Sequence, residues 1–371
     1  MPAAMVAAAA IAVIAFVLWD AFETILLPRR IPSGLRLSRI VLGAAWNLWS
    51  AIGRRIPSRN ARENFLGLYA LLSLIGLLVI WAAGLILAFA MLEWSAGSRL
   101  HTDAGAAGFR TDLYMSGTTF FTLGLGDVSP MTALSRFITV VEAGTGFGFL
   151  ALVLAYLPVL YQAFSRREAS TTMLDEWAGS PPTAGVLLRR CFESRNPGTA
   201  LDSLLKDWEF AAAGMLESQL SYPILSFFRS QHDNQSWLAA MSAILDATAL
   251  VIAGIDGLDP FQARLTFAIC RHTLVDVSQN LWHATRPITA PAESTEALAE
   301  ARAWLEAAKV PVARGEEADR RLAEVRALYV PYAIALSRHL LMPLPGWLPG
   351  PKARFNWETT AWARTAGDET R

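Results

Sequence analysis

Three long apolar stretches dominate the first 165 residues of the chain, from about residue 3 to 27, 65 to 92 and 134 to 164. Each exceeds the roughly 20 residues an α-helix needs to cross the hydrocarbon core, so the pattern predicts three membrane-spanning helices. The first has no basic stretch before it and is longer than the apolar core of a signal peptide, about 7–15 residues. Arg29 and Arg30 follow it, as expected of a spanning helix that stops at a membrane surface. Residues 40–52, IVLGAAWNLWSAI, are too short to span. Their Trp residues and flanking Arg predict either an interfacial helix along the inner leaflet or a short helix packed on the bundle.

Beyond Arg166 the pattern turns amphipathic. Leu201, Leu204, Leu205, Trp208 and Ala212 recur at helical spacing, and residues 297–308 and 316–341 behave alike. Residues 236–254 could span by length, but they are rich in Ala and Ser and carry only Asp246, so a buried core helix is predicted. Gly179-Ser180-Pro181-Pro182 is a breaker. The expected organisation is an N-terminal transmembrane helix (1–30), a basic loop with the short helix (31–63), a module holding the second and third spans (64–166), a linker (167–182), an all-α domain of five to seven helices (183–342) and a mobile Pro-rich tail (343–371).

Composition sharpens this picture. The chain of 371 residues is 53% hydrophobic and 17% charged, against roughly 25% charged in ordinary soluble domains. Disorder is excluded as the dominant state. A formal net charge of zero gives no overall field to attract nucleic acid. Between the first two apolar stretches lie Arg29, Arg30, Arg36, Arg39, Arg54, Arg55, Arg59 and Arg62 against Glu63 alone. The positive-inside rule makes this loop cytoplasmic, which puts the N-terminus outside and the C-terminal domain in the cytoplasm. Asp20 and Glu23, near the inner end of the first helix, are expected to pair with loop arginines such as Arg29 or Arg54. Cys191 and Cys270 fall in the cytoplasmic half and are expected as free thiols. His232, His272, His283 and His339 match no zinc spacing, and no phosphate-cradling glycine loop follows a strand. Neither an enzyme nor an organic cofactor is therefore expected. The polar run of residues 230–235 reads as a ligand site or as a loop capping the next helix.

The chemistry lies between the second and third spans, in TDLYMSGTTFFTLGLGDVSPMTALSRF, residues 111–137. An apolar segment of residues 113–121 is too short to span. It ends in Thr122-Leu123-Gly124-Leu125-Gly126-Asp127, followed by Pro130 and the third span. Non-helical backbone at membrane depth must be buried in protein or line a water-filled cavity. Alternating glycines can take positive φ, which lets successive carbonyls face one way and replace the hydration shell of a cation.

In this context TLGLGD resembles the potassium-channel pore loop, whose filter usually reads T-V-G-Y-G-D. The resemblance spans about residues 65–164 and is to bacterial potassium channels with one pore loop per subunit; some two-pore-domain potassium channels also carry G-L-G in a filter. It implies an all-α membrane protein with outer helix, pore helix, filter and inner helix, closed as a homotetramer in the lipid bilayer. Thr122, Leu123, Gly124, Leu125 and Gly126 would bind K+ ions through backbone oxygens, the Thr122 hydroxyl adding a layer. Asp127 would brace the filter or simply attract cations. Leu125 replaces the family's central aromatic, so no hydroxyl ties the filter to the pore helix there, and Tyr114 and Met115 stand where many relatives carry Trp. Glu142 would bond pore-helix groups such as Ser116 or Thr118, or else line the cavity as a cation site.

Gly146, among Gly144 and Gly148, falls where relatives have a hinge glycine, or else serves close packing. Pro158 should kink the inner helix. Leu157, Tyr161 and Phe164 would form an apolar gate or face neighbouring helices. No regularly spaced arginines mark a voltage sensor. Of 32 basic residues only Lys206, Lys309 and Lys352 are lysine, the bias of a GC-rich bacterial genome, so the expected location is a bacterial inner membrane. The function expected is passive potassium conduction, gated or assembled by the cytoplasmic domain in response to an unidentified regulatory ligand or protein. The rivals are a weakly selective cation channel and a non-conducting receptor that signals through its soluble domain.

Overall fold

The computed structural model describes residues 3–25, 36–102, 107–232, 234–281 and 295–350. Arg29, Arg30, Asp233, His283 and residues 351–371, all invoked above, lie outside the described residues. The chain divides into two units, residues 1–161 and 162–371.

In the first unit α1 (Ala3–Ile25), α2 (Leu37–Gly53) and α3 (Arg59–Ser95) pack together. Their outer faces stay apolar and uncovered, with Ile11, Trp19, Leu68, Leu71 and Val79 all exposed. Such a surface needs lipid or another protein against it. Of the two readings for residues 40–52, the structure has the helix packed on the bundle. The Trp49 ring stacks on Phe65 at 4.5 Å, its Nε1 donates to the Phe65 carbonyl at 2.9 Å, and the Tyr69 hydroxyl donates to the Leu42 carbonyl at 2.8 Å. Ile40, Leu48 and Ile52 remain exposed on α2.

The buried Asp20 carboxylate joins all three helices. It accepts from the backbone N–H of Ser38 at 3.0 Å, the Ser38 hydroxyl at 3.1 Å and Trp81 Nε1 at 2.9 Å. Ser38 lies in the first turn of α2, and Arg36, the residue before that helix, offers no side-chain cap. Asp20 therefore supplies from a distance the acceptor and the negative charge that a helix N-terminus favours. Glu23 pairs with Arg36 at 3.2 Å. Pairing with a loop arginine thus holds for Glu23 through Arg36, with Arg54 exposed, whereas the Asp20 carboxylate is hydrogen-bonded by neutral donors.

After α3 the chain forms β1 (Leu100–Thr102), α4 (Phe109–Phe120), β2 (Val128–Pro130) and α5 (Ala133–Ala178). The strands pair antiparallel, Leu100 opposite Pro130 and Thr102 opposite Val128. Met131 N–H extends the pairing to the Arg99 carbonyl at 2.9 Å. This short sheet, unforeseen from the sequence, closes the base of the loop that contains α4 and residues 122–127.

The expected linker at 167–182 is not a separate segment. Helix α5 continues through Pro158 to Ala178, and Arg167, Glu168, Thr171, Leu174 and Asp175 are buried. Packing of these residues in the second unit overrides any reason to stop the helix at the basic pair. The unit boundary accordingly falls inside α5.

The second unit adds α6 (Ala184–Glu193), α7 (Pro197–Ser221), α8 (Trp237–Gly254), α9 (Phe261–Asn280), α10 (Thr295–Ala307), α11 (Glu316–Ala327) and α12 (Val330–Leu340). The helical run expected over 316–341 is two helices. Pro331 sits in the first turn of α12, where its missing N–H costs nothing. Helix α8 is apolar enough to span, yet 83% of its apolar window is buried, against 17–39% for α1, α3 and α5. It is the core helix of this unit. Its one charge, Asp246, accepts from the Arg326 guanidinium and the Tyr329 hydroxyl, and Arg326 lies 4.2 Å over the Trp347 ring.

The start of the expected mobile tail is therefore packed. Trp347 is buried and its carbonyl accepts from Gly185 N–H at 3.0 Å. Cys191 and Cys270 are free and buried. Burial pushes the Cys191 thiol up to about 12 and raises Cys270 as well, so both are poor nucleophiles. Removing the carboxylate with Asp246→Ala takes its ion-pair partner from the partly buried Arg326 and is expected to cost about 3 kcal/mol. Thermal unfolding of the purified full chain checks this; an unchanged midpoint would show that the pair does not hold α8, α11 and the 343–350 segment together.

Candidate functional site

Residues 122–127 leave the C-terminus of α4 in a conformation set by hydrogen bonds to that helix. Thr122 N–H donates to the Thr119 carbonyl at 3.0 Å, and Leu123 N–H to the Thr118 carbonyl at 2.8 Å. Thr118 thus serves the segment with its backbone oxygen, while its hydroxyl returns to the Met115 carbonyl at 2.9 Å. Positive φ occurs at Thr122 (57°), Gly124 (56°) and Gly126 (83°), every second residue. That alternation is the one a column of same-side carbonyls requires. For Thr122 the left-handed conformation costs about 1–2 kcal/mol, which the two bonds beside it offset. Leu123 and Leu125 are 61% and 63% exposed.

The acid after the segment is tied back. The Tyr114 hydroxyl, on α4, donates to Asp127 Oδ2 at 2.9 Å. A hydroxyl does therefore link α4 to the end of this segment, supplied by Tyr114 and not by position 125.

Behind α4 lies a buried polar seam. Glu142 of α5 bonds the Ser116 hydroxyl, whose oxygen is also 2.7 Å from the Ile86 carbonyl of α3. One serine on α4 thus meets both flanking helices. Of the two readings for Glu142, its burial and this partner place it behind the segment; Thr118 does not bond it. The sequence reading missed Ser98 and Asp112, joined at 2.6 Å, and the buried Glu93 at the end of α3. Acids in otherwise apolar stretches were the available signal, since a buried ionisable group demands a partner.

Along α5, Gly146 is buried against the end of α4, while Leu157 and Tyr161 are exposed in the protomer. A cavity of about 440 Å³ opens among α3, the end of α4 and α5, lined by Val79, Phe121, Thr122, Gly146, Phe149 and Leu150, among others. Phe164 departs from the gate set. It is buried, 5.4 Å from Phe228 and 5.2 Å from the Arg167 guanidinium, so of the two readings for this residue it takes packing against a neighbour.

Within the second unit the end of α5 is held by a polar strip. Arg167 donates to the Leu225 carbonyl at 2.7 Å and the Phe228 carbonyl at 3.0 Å, and pairs with Glu168 at 3.1 Å. Glu168 accepts from Ser230 Oγ at 3.2 Å and Gln231 N–H at 3.3 Å. Two turns on, Asp175 accepts from Gln235. The polar run at 230–235 thus binds α5, and Ser236 caps α8 by accepting from Ala239 N–H at 3.0 Å.

Glu142→Gln keeps a group able to bond Ser116 and should leave thermal stability within about 1 kcal/mol, whereas Glu142→Leu should cost about 2 kcal/mol. Thermal melts of both variants in detergent compare them, and equal losses would show that the seam is not held by this hydrogen bond.

Residues 74–162 match the family model described as an ion channel. No curated protein and no solved structure matches the chain. The match covers the second half of α3, the β1–β2 latch, α4, the alternating segment and α5 as far as residue 162, so this all-α membrane protein carries an ion channel domain.

Proposed function

We propose that the chain forms a potassium-selective channel of four identical subunits and that Thr122 to Gly126 are its selectivity filter. The observation that carries this reading is the alternation of positive φ at Thr122, Gly124 and Gly126, within an ion channel domain and hydrogen-bonded to the end of a short helix. Such backbone can offer successive oxygen layers to a dehydrated K+ ion. One copy of TLGLG per chain supplies one wall, hence four chains. The C-terminal end of α4 adds a partial negative charge toward the cavity that favours a cation there.

Asp127, held by Tyr114, braces the outer mouth. Leu157, Pro158 and Tyr161 lie on the inner part of α5 that would face the conduction path, where an apolar ring can gate by dewetting. The N-terminus lies outside and the second unit in the cytoplasm, at a bacterial inner membrane. The exposed arginines 54, 55 and 59 support this orientation.

The second unit acts on the inner helix. Arg167, Glu168 and Asp175 are its grip, because three side chains on the continuation of α5 bind backbone and side-chain groups of the 225–235 loop. A displacement of that loop by a regulatory ligand or protein would be transmitted to α5. One observation favours the weakly selective reading: Leu125 has no hydroxyl to anchor the middle of the filter.

Purified protein in liposomes is expected to show barium-sensitive potassium flux that greatly exceeds sodium flux, and Gly124→Asp is expected to abolish it while leaving tetramers intact. Equal flux of the two ions would establish the weakly selective alternative. Flux undiminished by Gly124→Asp would remove the filter from residues 122–126. For the grip, Glu168→Gln and Ser230→Ala are each expected to change open probability by about threefold, and the double variant by no more than either alone. Additive effects, or none, in single-channel records would disconnect this strip from gating.

A further inference from the structure

Helix α5 carries Gly144, Gly146 and Gly148 in close succession, and their surroundings differ. A β-carbon added at Gly144 or Gly148 would meet nothing within 4 Å in the protomer. At Gly146 it would lie 2.0 Å from the carbonyl oxygen of Phe120, 2.8 Å from its carbonyl carbon and 2.9 Å from its Cα. All three are main-chain atoms, so no side chain can swing aside. A carbon next to a carbonyl oxygen needs more than 3 Å, and relief requires the two helices to part by about 1 Å.

Phe120 is the last residue of α4, and Thr122, the first residue of the filter segment, is two residues on. One helical turn beyond Gly146, the Phe149 ring packs on the Phe120 ring at 5.8 Å. The backbone of Gly146 is ordinary helix, without a positive φ. The position calls for glycine because of the space and not because of the backbone.

We propose that Gly146 is a positioning residue for the filter. Its missing side chain fixes how closely the inner helix approaches the end of the pore helix, and so where Thr122 and the carbonyls after it stand. This inference rests on the potassium-channel reading above and deepens it. A hinge acts differently, through freedom to bend. It would move open probability and leave ion discrimination alone. A positioning role moves discrimination, because four displaced pore-helix ends would enlarge or skew every oxygen ring.

The test records full-length wild type, Gly146→Ala, Gly144→Ala and Gly148→Ala in planar bilayers, reading bi-ionic reversal potentials, unitary conductance and open probability. Gly146→Ala is expected to lower the potassium-to-sodium permeability ratio by about tenfold or more, with the two neighbouring variants within about twofold of wild type. A wild-type ratio in Gly146→Ala, whatever its open probability, overturns the inference. An equal loss in Gly144→Ala or Gly148→Ala overturns it too.

If Gly146→Ala chains do not assemble alone, mixed tetramers with wild type, isolated through two different tags, carry the same comparison. An intact ratio there counts against the inference and a reduced one supports it. A wild type that conducts without discrimination overturns the potassium reading only. Unitary conductance then decides the role of Gly146, since displaced rings change it and a lost hinge does not. A wild type that does not conduct overturns both.

Discussion

Backbone that is neither helix nor sheet can stand at membrane depth only if its polar groups are held by protein or face a water-filled path. Every notable feature of residues 86–146 answers to that constraint. The carbonyls of Thr118 and Thr119 hold the first N–H groups of the alternating segment. Tyr114 holds its far end through Asp127. The β1–β2 pair closes the loop below, and Ser116 fixes the supporting helix to α3 and α5 at once. An apolar scaffold of the same shape could fill the space, but it could not fix α4 in rotation and height. Directional hydrogen bonds do that.

The same economy recurs wherever the chain buries a charge. Asp20 lies among three neutral donors and doubles as the remote cap of α2. Asp246 binds Arg326 and Tyr329 and thereby fastens α11, α12 and Trp347 to the core helix α8. Arg167 spends its guanidinium on two carbonyls and Glu168. In each case a single buried ionisable group joins segments distant in sequence, as expected when leaving it unpaired would cost several kcal/mol.

These joints are also where sequence reading stopped. The spans, the short helix before TLGLGD and TLGLGD itself stand in the order of residues, because a 20-residue apolar run and an alternation of glycines are local facts. The presence of partners for Asp20, Glu23 and Glu142 could be anticipated, since membrane charges need them. Their identity could be anticipated only for Glu142, where Ser116 lies in α4. Trp81, 61 residues from Asp20, and Leu225, 58 residues from Arg167, carry no mark in the sequence of the contact they make. The continuation of α5 to Ala178 was hidden for a related reason. A basic pair at the end of an apolar run looks like a terminus until a second surface is present to bury it.

The sequence by itself determined the membrane class, the helical character of both units and the glycine alternation of residues 122–127. Hydropathy, period and glycine placement act over a few residues and need no partner. The tertiary structure decided the rest: that α8 is core and not a span, that α2 packs on α3, that Phe164 belongs to the second unit, and that Gly146 alone of three neighbouring glycines has no room for a side chain. Each depends on which atoms approach from elsewhere in the chain, and close approach between distant segments is a property of packing that no local pattern records.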